Sequence, residues 1–231
     1  MEQNNTPKTQ VYNVIIMDRS GSMWSIARSA VAGYNEVLGG VKAAAEQYKD
    51  TQDHHITLVL FDSTEIRDVY WNADPAVAEH LTDKTYIPGA STPLYDAMGR
   101  TLTRLENEIR DQEKTTVVVT VITDGLENAS REYSGKAIKG LVEHLKELGW
   151  SFAYMGTDHD VDGVTMSLSI TNVIKFEKTE ADTLASFKKE SAARHRWFKK
   201  EHDHDMACPE ASKEERRLFL KDIADKYYDE N

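Results

Sequence analysis

The sequence VYNVIIMDRSGS at residues 11–22 decides the fold. Its first seven residues are mostly apolar, rich in β-branched side chains and free of strict alternation, which is typical of a strand buried on both faces of a parallel sheet. The run TTVVVTVIT at residues 115–123 has the same character, and an aspartate directly follows each run. Two such strands predict a parallel sheet with polar loops gathered at its carboxyl edge.

The rest of the chain alternates between helix-like and strand-like segments. Residue patterns predict helices at 25–48, 93–112 and 134–148, and strands at 55–61, 64–71, 151–156 and 172–176. Only two residues separate 55–61 from 64–71, which is too short for a crossover between parallel strands. The strand at 64–71 is therefore predicted to run antiparallel at an edge. The whole pattern predicts a doubly wound α/β fold with a mostly parallel sheet.

Beyond residue 178 the sequence becomes charged and helix-favouring. We therefore divide the chain into a polar N-terminal segment (1–10), an α/β domain (11–178) and a helical C-terminal extension (179–231). Thr179 and Ser212 each have an acidic residue three positions later, a pattern typical of helix starts. The last helix has an apolar face made of Leu220, Ile223, Ala224 and Tyr227. We expect that face to pack on the domain rather than remain exposed on a free tail.

Composition restricts the classes of ligand. The formal net charge of -11 argues against nucleic acid and against an anionic membrane, because both are bound largely through Lys and Arg. Cys208 is the only cysteine, so an intramolecular disulfide framework is excluded. The first ten residues, MEQNNTPKTQ, lack the apolar core of a secretory signal. These features predict a cytoplasmic protein.

Hard oxygen ligands follow the predicted strands. Asp18, Ser20 and Ser22 follow the first strand at alternating positions, and Asp124 follows the strand at 115–123. The segment Gly-Ala-Ser-Thr at 89–92 precedes the second helix and adds hydroxyl groups. Carboxylate and hydroxyl oxygens suit Mg²⁺, Mn²⁺ or Ca²⁺, whereas a zinc site favours Cys and His. The sequence therefore predicts a site for a hard divalent cation.

Three motifs carry a resemblance to a known family. Asp-Arg-Ser-Gly-Ser-Met at residues 18–23 resembles the Asp-x-Ser-x-Ser signature of von Willebrand factor A (vWA) domains, close to its bacterial form. Ser-Thr-Pro-Leu-Tyr-Asp-Ala at 91–97 and Thr-Asp-Gly at 123–125 follow in the family's order. The resemblance covers about residues 11–176. It implies a vWA/Rossmann-like fold in a stand-alone bacterial or phage protein.

The resemblance also implies a metal-ion-dependent adhesion site. Ser20, Ser22 and Thr92 would supply hydroxyl ligands, and Asp18 and Asp124 would bind directly or through water. Asp62 and Ser91 would not bind the metal directly but would hold its ligands or waters in place. Mg²⁺ takes six oxygens, and two carboxylates among neutral hydroxyls leave the ion electrophilic. An Asp or Glu carboxylate of a partner protein would complete its shell, so the resemblance implies a binding module rather than an enzyme.

Two other functions remain open. Mg²⁺-dependent phosphohydrolases also place Asp at the end of the first strand, but the acid/base Asp that some carry two residues later is Ser20 here. Losing that group would lower the reaction rate by about 10²- to 10⁴-fold. No Gly-rich loop ending in Gly-Lys-Ser/Thr precedes residues 115–124, which disfavours an ATPase. A subunit of a metal chelatase or of an ATPase-coupled complex is the other alternative, and nothing in the sequence selects it.

Simpler interpretations apply to several of these residues. Ser20 or Ser22 could be an ordinary helix N-cap, although three motifs in family order argue against that. Met23 and Trp24 could form an apolar rim for a partner, but we expect residues at a helix start to pack inward. Asp158 and His159 are expected in a solvated loop. The possible zinc ligands His195, His202, His204 and Cys208 match no standard finger spacing, so we expect them on a charged helical surface.

Overall fold

Six strands and six helices make up the computed structural model, which describes residues 7–157 and 161–229. The strands are β1 (Thr9–Asp18), β2 (Gln52–Asp62), β3 (Glu65–Ala73), β4 (Thr115–Thr123), β5 (Ser151–Gly156) and β6 (Asn172–Lys175). The helices are α1 (Ala27–Gln47), α2 (Leu94–Ile109), α3 (Gly135–Glu147), α4 (Val161–Ser167), α5 (Glu180–Ala207) and α6 (Lys213–Ala224). Two short 3-10 helices lie at Gly21–Ile26 and Pro75–Val77. Asp158 and His159 lie outside the described residues.

The strands form one sheet in the order β3-β2-β1-β4-β5-β6. Every neighbouring pair is parallel except β2 and β3, which are antiparallel. The predicted doubly wound sheet with one antiparallel edge strand is therefore confirmed. β3 is at most half-buried and its pairing with β2 shifts register between Ile56 and Val59, while β6 at the other edge has only 4 residues.

Both faces of the sheet are covered by helices. Side chains of a strand alternate between faces, so Val14 and Ile16 of β1 pack in one core cluster with α2 and α3. Ile15 and Met17 point the other way and pack with α1 and Phe187 of α5. Burial on both faces explains why β1 is a continuous apolar run.

The C-terminal helices pack on the domain, as predicted, and they do so on the face of the sheet that α1 covers. Leu220, Ile223, Ala224 and Tyr227 are all buried. Thr179 caps α5 by accepting from Asp182 N, and Ser212 and Glu215 form a capping box at α6. The predicted packing and both predicted helix starts are confirmed.

A buried polar cluster attaches α5 to the middle of the sheet. Arg194 donates to Asn13 Oδ1 of β1 at 3.0 Å and to Thr120 Oγ1 of β4 at 2.7 Å. The same guanidinium pairs with Glu190 at 3.0 Å, and Glu190 also accepts from the Tyr227 hydroxyl at 3.0 Å. Both charged side chains are about 1% exposed, so their mutual pairing is what makes their burial tolerable.

Close contact between α1 and α5 depends on Gly33. A methyl group there would overlap the Phe187 ring, whereas a methyl at Gly39 of the same helix would meet nothing within 4 Å. We expect Gly33→Ala to lower the free energy of unfolding by about 1–3 kcal/mol through overpacking. Gly39→Ala is the matched control and should raise it by about 0.5–1 kcal/mol, because Ala favours a helix. Urea titration measures both, and equal effects would contradict this account of the interface.

Some boundaries differ from the predicted ones. β1 begins at Thr9, and the segment expected to open a helix at residue 25 is a 3-10 helix over Gly21–Ile26 that leads into α1. α4 was not predicted, because its sequence VDGVTMS lacks a helical apolar pattern. None of the helices within residues 7–157 and 161–229 has both the length and the apolar character needed to cross a lipid bilayer.

Candidate functional site

The candidate site lies where the order of the strands reverses. β1 and β4 are neighbours, but the chain continues from β1 to β2 on one side and from β4 to β5 on the other. The loops that follow two such strands diverge and leave a crevice at their carboxyl ends. Asp18 ends β1 and Asp124 directly follows β4, and these residues are 0% and 3% exposed. Two buried carboxylates therefore lie at the position where α/β sheets bind ligands.

The first loop is organised around the Asp18 carboxylate. Its Oδ1 accepts from the Ser20 amide at 2.6 Å, and its Oδ2 accepts from the Thr123 hydroxyl of β4 at 2.6 Å. The main-chain oxygen of Asp18 accepts from the buried Tyr86 hydroxyl at 2.5 Å. Asp18 is thus fixed by contacts with its own loop, with the neighbouring strand and with the loop before α2.

Hydroxyl groups connect the two carboxylates. Ser22 Oγ donates to Asp124 Oδ1 at 2.5 Å and lies 3.1 Å from Ser20 Oγ. Thr92 reaches the same place from the start of α2, and its position is fixed by reciprocal bonds with Asn128. The structure therefore brings together Asp18, Ser20, Ser22, Thr92 and Asp124, which are far apart in the chain.

The space beside Gly125 shows where these oxygens converge. A methyl group added at Gly125 would lie 3.2 Å from Ser22 Oγ, 3.4 Å from Thr92 Oγ1 and 4.0 Å from Asp18 Oδ2. No side chain fills this position because residue 125 is glycine. Three oxygens from three different loops thus converge beside Gly125, next to Asp124.

One oxygen of the site lacks a hydrogen bond. Asp124 Oδ2 is buried and receives no hydrogen bond, although Lys178 Nζ lies 3.1 Å away as an ion-pair partner. The two observations agree if the ammonium supplies charge without pointing a proton at the oxygen. A buried carboxylate oxygen that lacks a hydrogen bond is costly, and it leaves a lone pair available for a cation.

Burial makes the Asp18 carboxyl a weaker acid than an ordinary Asp. Burial raises the pKa of the Asp18 carboxyl to about 6, hydrogen bonds from Thr123 and Ser20 oppose this, and the nearby Asp124 charge adds to it. The charged form of Asp18 is thus unfavourable in this environment unless a cation compensates it.

Asp62 and Ser91 occupy neighbouring loops. The Asp62 carboxylate accepts from Arg19 Nε at 2.8 Å and from the Thr64 amide at 2.7 Å. Although burial acts to raise it, hydrogen bonds from Thr64 and Arg19 hold the pKa of Asp62 below its ordinary value. The Ser91 amide donates to Ser63 Oγ at 3.0 Å, the Ser91 main-chain oxygen accepts from the Ser63 amide, and Ser91 is exposed. Both residues brace the loops around the site, and their part in holding ligands or waters stays a prediction.

Four residues that shape the site were not predicted. Thr123 is the last residue of β4 and could have been suspected from its place before Asp124. Tyr86, Asn128 and Lys178 lie in segments without any motif, and their contacts with the site arise only from the folded chain.

Apolar side chains lie in the segments that carry the site residues. Met23 is completely buried, as predicted, but Trp24 is 68% exposed, so the expectation that both pack inward is wrong for Trp24. Its neighbour in sequence enters the core, and the tight 3-10 turn directs the indole outward. Ile87 shares a groove with Trp24 and is 58% exposed, and Leu126, next to Gly125, is 50% exposed.

The histidines of α5 have ordinary packing roles. His202 Nδ1 lies 2.8 Å from Thr51 Oγ1, and the His204 ring stacks on Phe219 with 3.9 Å between centroids. Across residues 7–157 and 161–229, no cluster of three or more His, Cys, Asp or Glu is arranged to hold a metal.

Comparisons with known proteins identify the fold. No protein-family model and no curated protein matches this sequence. Among solved structures, the chain is similar to the vWF domain of the type V pili tip protein Mfa5 from Porphyromonas gingivalis, with 12% identity and a TM-score of 0.59 over 83% of this chain and 97% of that one. It is also similar to the VWA domain of SpRpn10, with 6% identity and a TM-score of 0.54 over 80% and 95% of the two chains.

A third similar structure is a longer protein. The pilus adhesin SpaC from Lactobacillus rhamnosus GG, in its open conformation, matches with 14% identity and a TM-score of 0.57 over 85% of this chain but only 31% of its own length. At such identities the likeness concerns the fold, which is that of a vWA domain.

Proposed function

We propose that this chain is a metal-dependent protein-binding module. A divalent cation would be held by the hydroxyls of Ser20, Ser22 and Thr92, with Asp18 and Asp124 bound directly or through water. The observation that carries the proposal is the convergence of three loop oxygens on the space beside Gly125. The unsatisfied Asp124 Oδ2 next to that space supports it.

The donor set fits a hard cation. Its oxygens are carboxylate and hydroxyl only, which suits Mg²⁺ and also Mn²⁺ or Ca²⁺. When bound, the cation would offer a coordination position to a carboxylate from outside. Asp18 and Asp124 hold the cation by charge, Thr123 and Tyr86 keep Asp18 in place, and Asn128 keeps Thr92 in place.

The proposed partner is a protein that presents an Asp or Glu. Two carboxylates on a divalent ion leave no surplus negative charge, so a third carboxylate remains attractive. Trp24, Ile87 and Leu126 add exposed apolar surface around that point, and large aromatic residues often dominate binding energy in protein interfaces. We propose a binding domain at 11–178 with the extension at 179–231, acting in a reducing, cytoplasmic compartment and of a bacterial or phage type.

Selection of peptides tests this function. A displayed random-peptide library is incubated with the protein in Mg²⁺ and eluted with a chelator. The selected peptides are expected to share an acidic residue, and changing it to Asn or Gln should abolish binding. Peptides that lack an acidic residue, or that stay bound in the chelator, would exclude this mechanism.

Trp24→Ala is expected to lower the affinity for the selected peptides about tenfold or more, as the loss of an interface aromatic usually does. Mg²⁺ affinity should not change, because the indole is not a ligand. Leu218→Ala is the control, since Leu218 is 53% exposed on α6, and α6 lies near the end of α3, away from the site. Isothermal titration calorimetry measures both affinities. An unchanged peptide affinity in Trp24→Ala would remove Trp24 from the proposed interface.

Gly125→Ala tests the position beside Gly125 where the oxygens converge. Its methyl group would lie among Ser22, Thr92 and Asp18 without touching the core. We expect Mg²⁺ affinity to fall by about 10- to 100-fold, the size of loss seen when ligand positions are disturbed. Gly89→Ala is the matched control, because a methyl there meets nothing within 4 Å although the residue lies in the same group of loops. Equal affinities of the two variants would show that the cation does not bind beside Gly125.

A further inference from the structure

Lys178 lies against the candidate metal site without belonging to the predicted ligand set. Its Nζ is 3.1 Å from Asp124 Oδ2, the one carboxylate oxygen of the site that receives no hydrogen bond. The lysine side chain is 28% exposed, whereas the aspartate side chain is 0% exposed. The ammonium therefore reaches from the surface to a buried anion and takes a place beside the oxygen that would contact a cation.

The backbone around Lys178 is fixed to the C-terminal helices. Phe176 N donates to Gly156 O at the end of β5, so the chain leaves β6 in a set direction. Glu177 N then donates to Asp182 Oδ2 at 2.6 Å, and Thr179 caps α5. Lys178 thus lies between two anchored residues in the turn that begins α5, and a displacement of its side chain would affect that turn.

We propose that Lys178 is a built-in monovalent cation that competes with the divalent ion for Asp124, and that it thereby sets the metal affinity of the site. This inference rests on the proposed function. In the metal-free protein the ammonium compensates the Asp124 charge. A divalent ion beside the same oxygen repels the ammonium, so metal binding includes the work of moving Lys178 away. Metal occupancy and the order of the first turn of α5 are therefore coupled.

Calorimetric titration with Mg²⁺ alone tests the proposal. Lys178→Met keeps the length of the side chain but removes its charge, and we expect it to bind Mg²⁺ about tenfold more tightly, as for typical coupled sites. Lys178→Arg keeps the charge and should remain near wild type. Lys175→Met is the matched control, because Lys175 pairs with Asp162 at 2.5 Å and its side chain is 55% exposed. Its affinity should equal that of wild type.

Amide hydrogen exchange gives a second measurement that needs no partner. In wild type, Mg²⁺ is expected to speed exchange at residues 177–183, and in Lys178→Met exchange there should already be fast without metal. Thermal unfolding in a chelator checks that the variants fold, and Lys178→Met should then melt below wild type because Asp124 loses its compensating charge.

The outcomes separate this inference from the proposed function. If wild type binds Mg²⁺ and Lys178→Met binds it equally or more weakly, the competition is disproved while the metal site stands. If only Lys178→Met binds Mg²⁺, the lysine blocks the site and the inference holds in its strongest form. If no variant binds any divalent ion, the proposed function fails and this inference fails with it.

Discussion

Asp18→Asn is expected to make the metal-free protein more stable and at the same time to abolish its stabilisation by Mg²⁺. Burial raises the pKa of the Asp18 carboxyl from an ordinary 3.8 to about 6. A carboxyl whose pKa is higher in the folded state destabilises the fold as the pH rises above the unfolded value, and the loss is complete once the pH exceeds the folded value. Asn keeps an oxygen for the Ser20 amide and offers its own amide to Thr123, so the loop can keep its shape.

The size of the stabilisation by Asp18→Asn follows from the pKa shift of Asp18. About two pKa units correspond to about 3 kcal/mol at most, which is roughly 5–10 °C in melting temperature for a chain of this length. The gain should be largest above pH 7, shrink as the pH falls through 6, and vanish near 4, where Asp18 is protonated in both states. Calorimetric melting in a chelator at several pH values measures it.

Adding Mg²⁺ should make wild type more stable than Asp18→Asn and so reverse their order of stability. At a concentration 1,000 times the dissociation constant, wild type gains about 4.1 kcal/mol, which exceeds the gain expected from Asp18→Asn, whereas the variant itself gains little from Mg²⁺. Ser63→Ala is a neighbouring control, because Ser63 contacts Ser91 but none of the proposed ligands. An Asp18→Asn protein that Mg²⁺ stabilises as much as wild type would remove Asp18 from the metal site.

Arg194→Met is expected to cause the largest loss of stability. The change leaves the Glu190 carboxylate buried under α5 without its cation, and breaking a buried ion pair in this way costs about 3–5 kcal/mol. Asn13 and Thr120 also lose the donor that joins β1 and β4 to the helix. Urea unfolding monitored by circular dichroism measures the change.

Two controls identify the cause. The double variant Arg194→Met/Glu190→Gln removes both charges and should regain most of the loss, because Gln can still bond to Thr120 and Tyr227. Lys199→Met breaks an exposed ion pair with Asp203 that has the same i, i+4 spacing in the same helix. It should leave the urea concentration at the midpoint of unfolding nearly unchanged. A double variant no more stable than Arg194→Met would assign the loss to packing rather than to an unpaired charge.

The sheet was predictable because its pattern is local. β1 and β4 are continuous apolar runs, and the two residues between β2 and β3 allow only an antiparallel turn. α4 and the segment between β3 and α2 were not predicted, since they follow neither helical nor strand periodicity. Their conformation is set by contacts such as the buried Tyr86, which no pattern within the segment reveals.

The part of the site that lies at the ends of the strands could be predicted, because the strands themselves could be predicted. Parallel strands place their final residues at one edge, so Asp18 and Asp124 could be expected to meet, and the structure joins the loop after Asp18 to Asp124 through Ser22. The contact of Lys178 with Asp124 spans 54 residues of chain and depends on how α5 packs. The outward direction of Trp24 depends on a 3-10 turn that begins before the predicted helix start at residue 25.

The two edges of the sheet determine how this molecule behaves at high local concentration. β3 carries exposed charged residues and a shifted register, and β6 is too short to serve as a template for another strand. These two edges thus protect copies at high local concentration from joining edge to edge into fibrils.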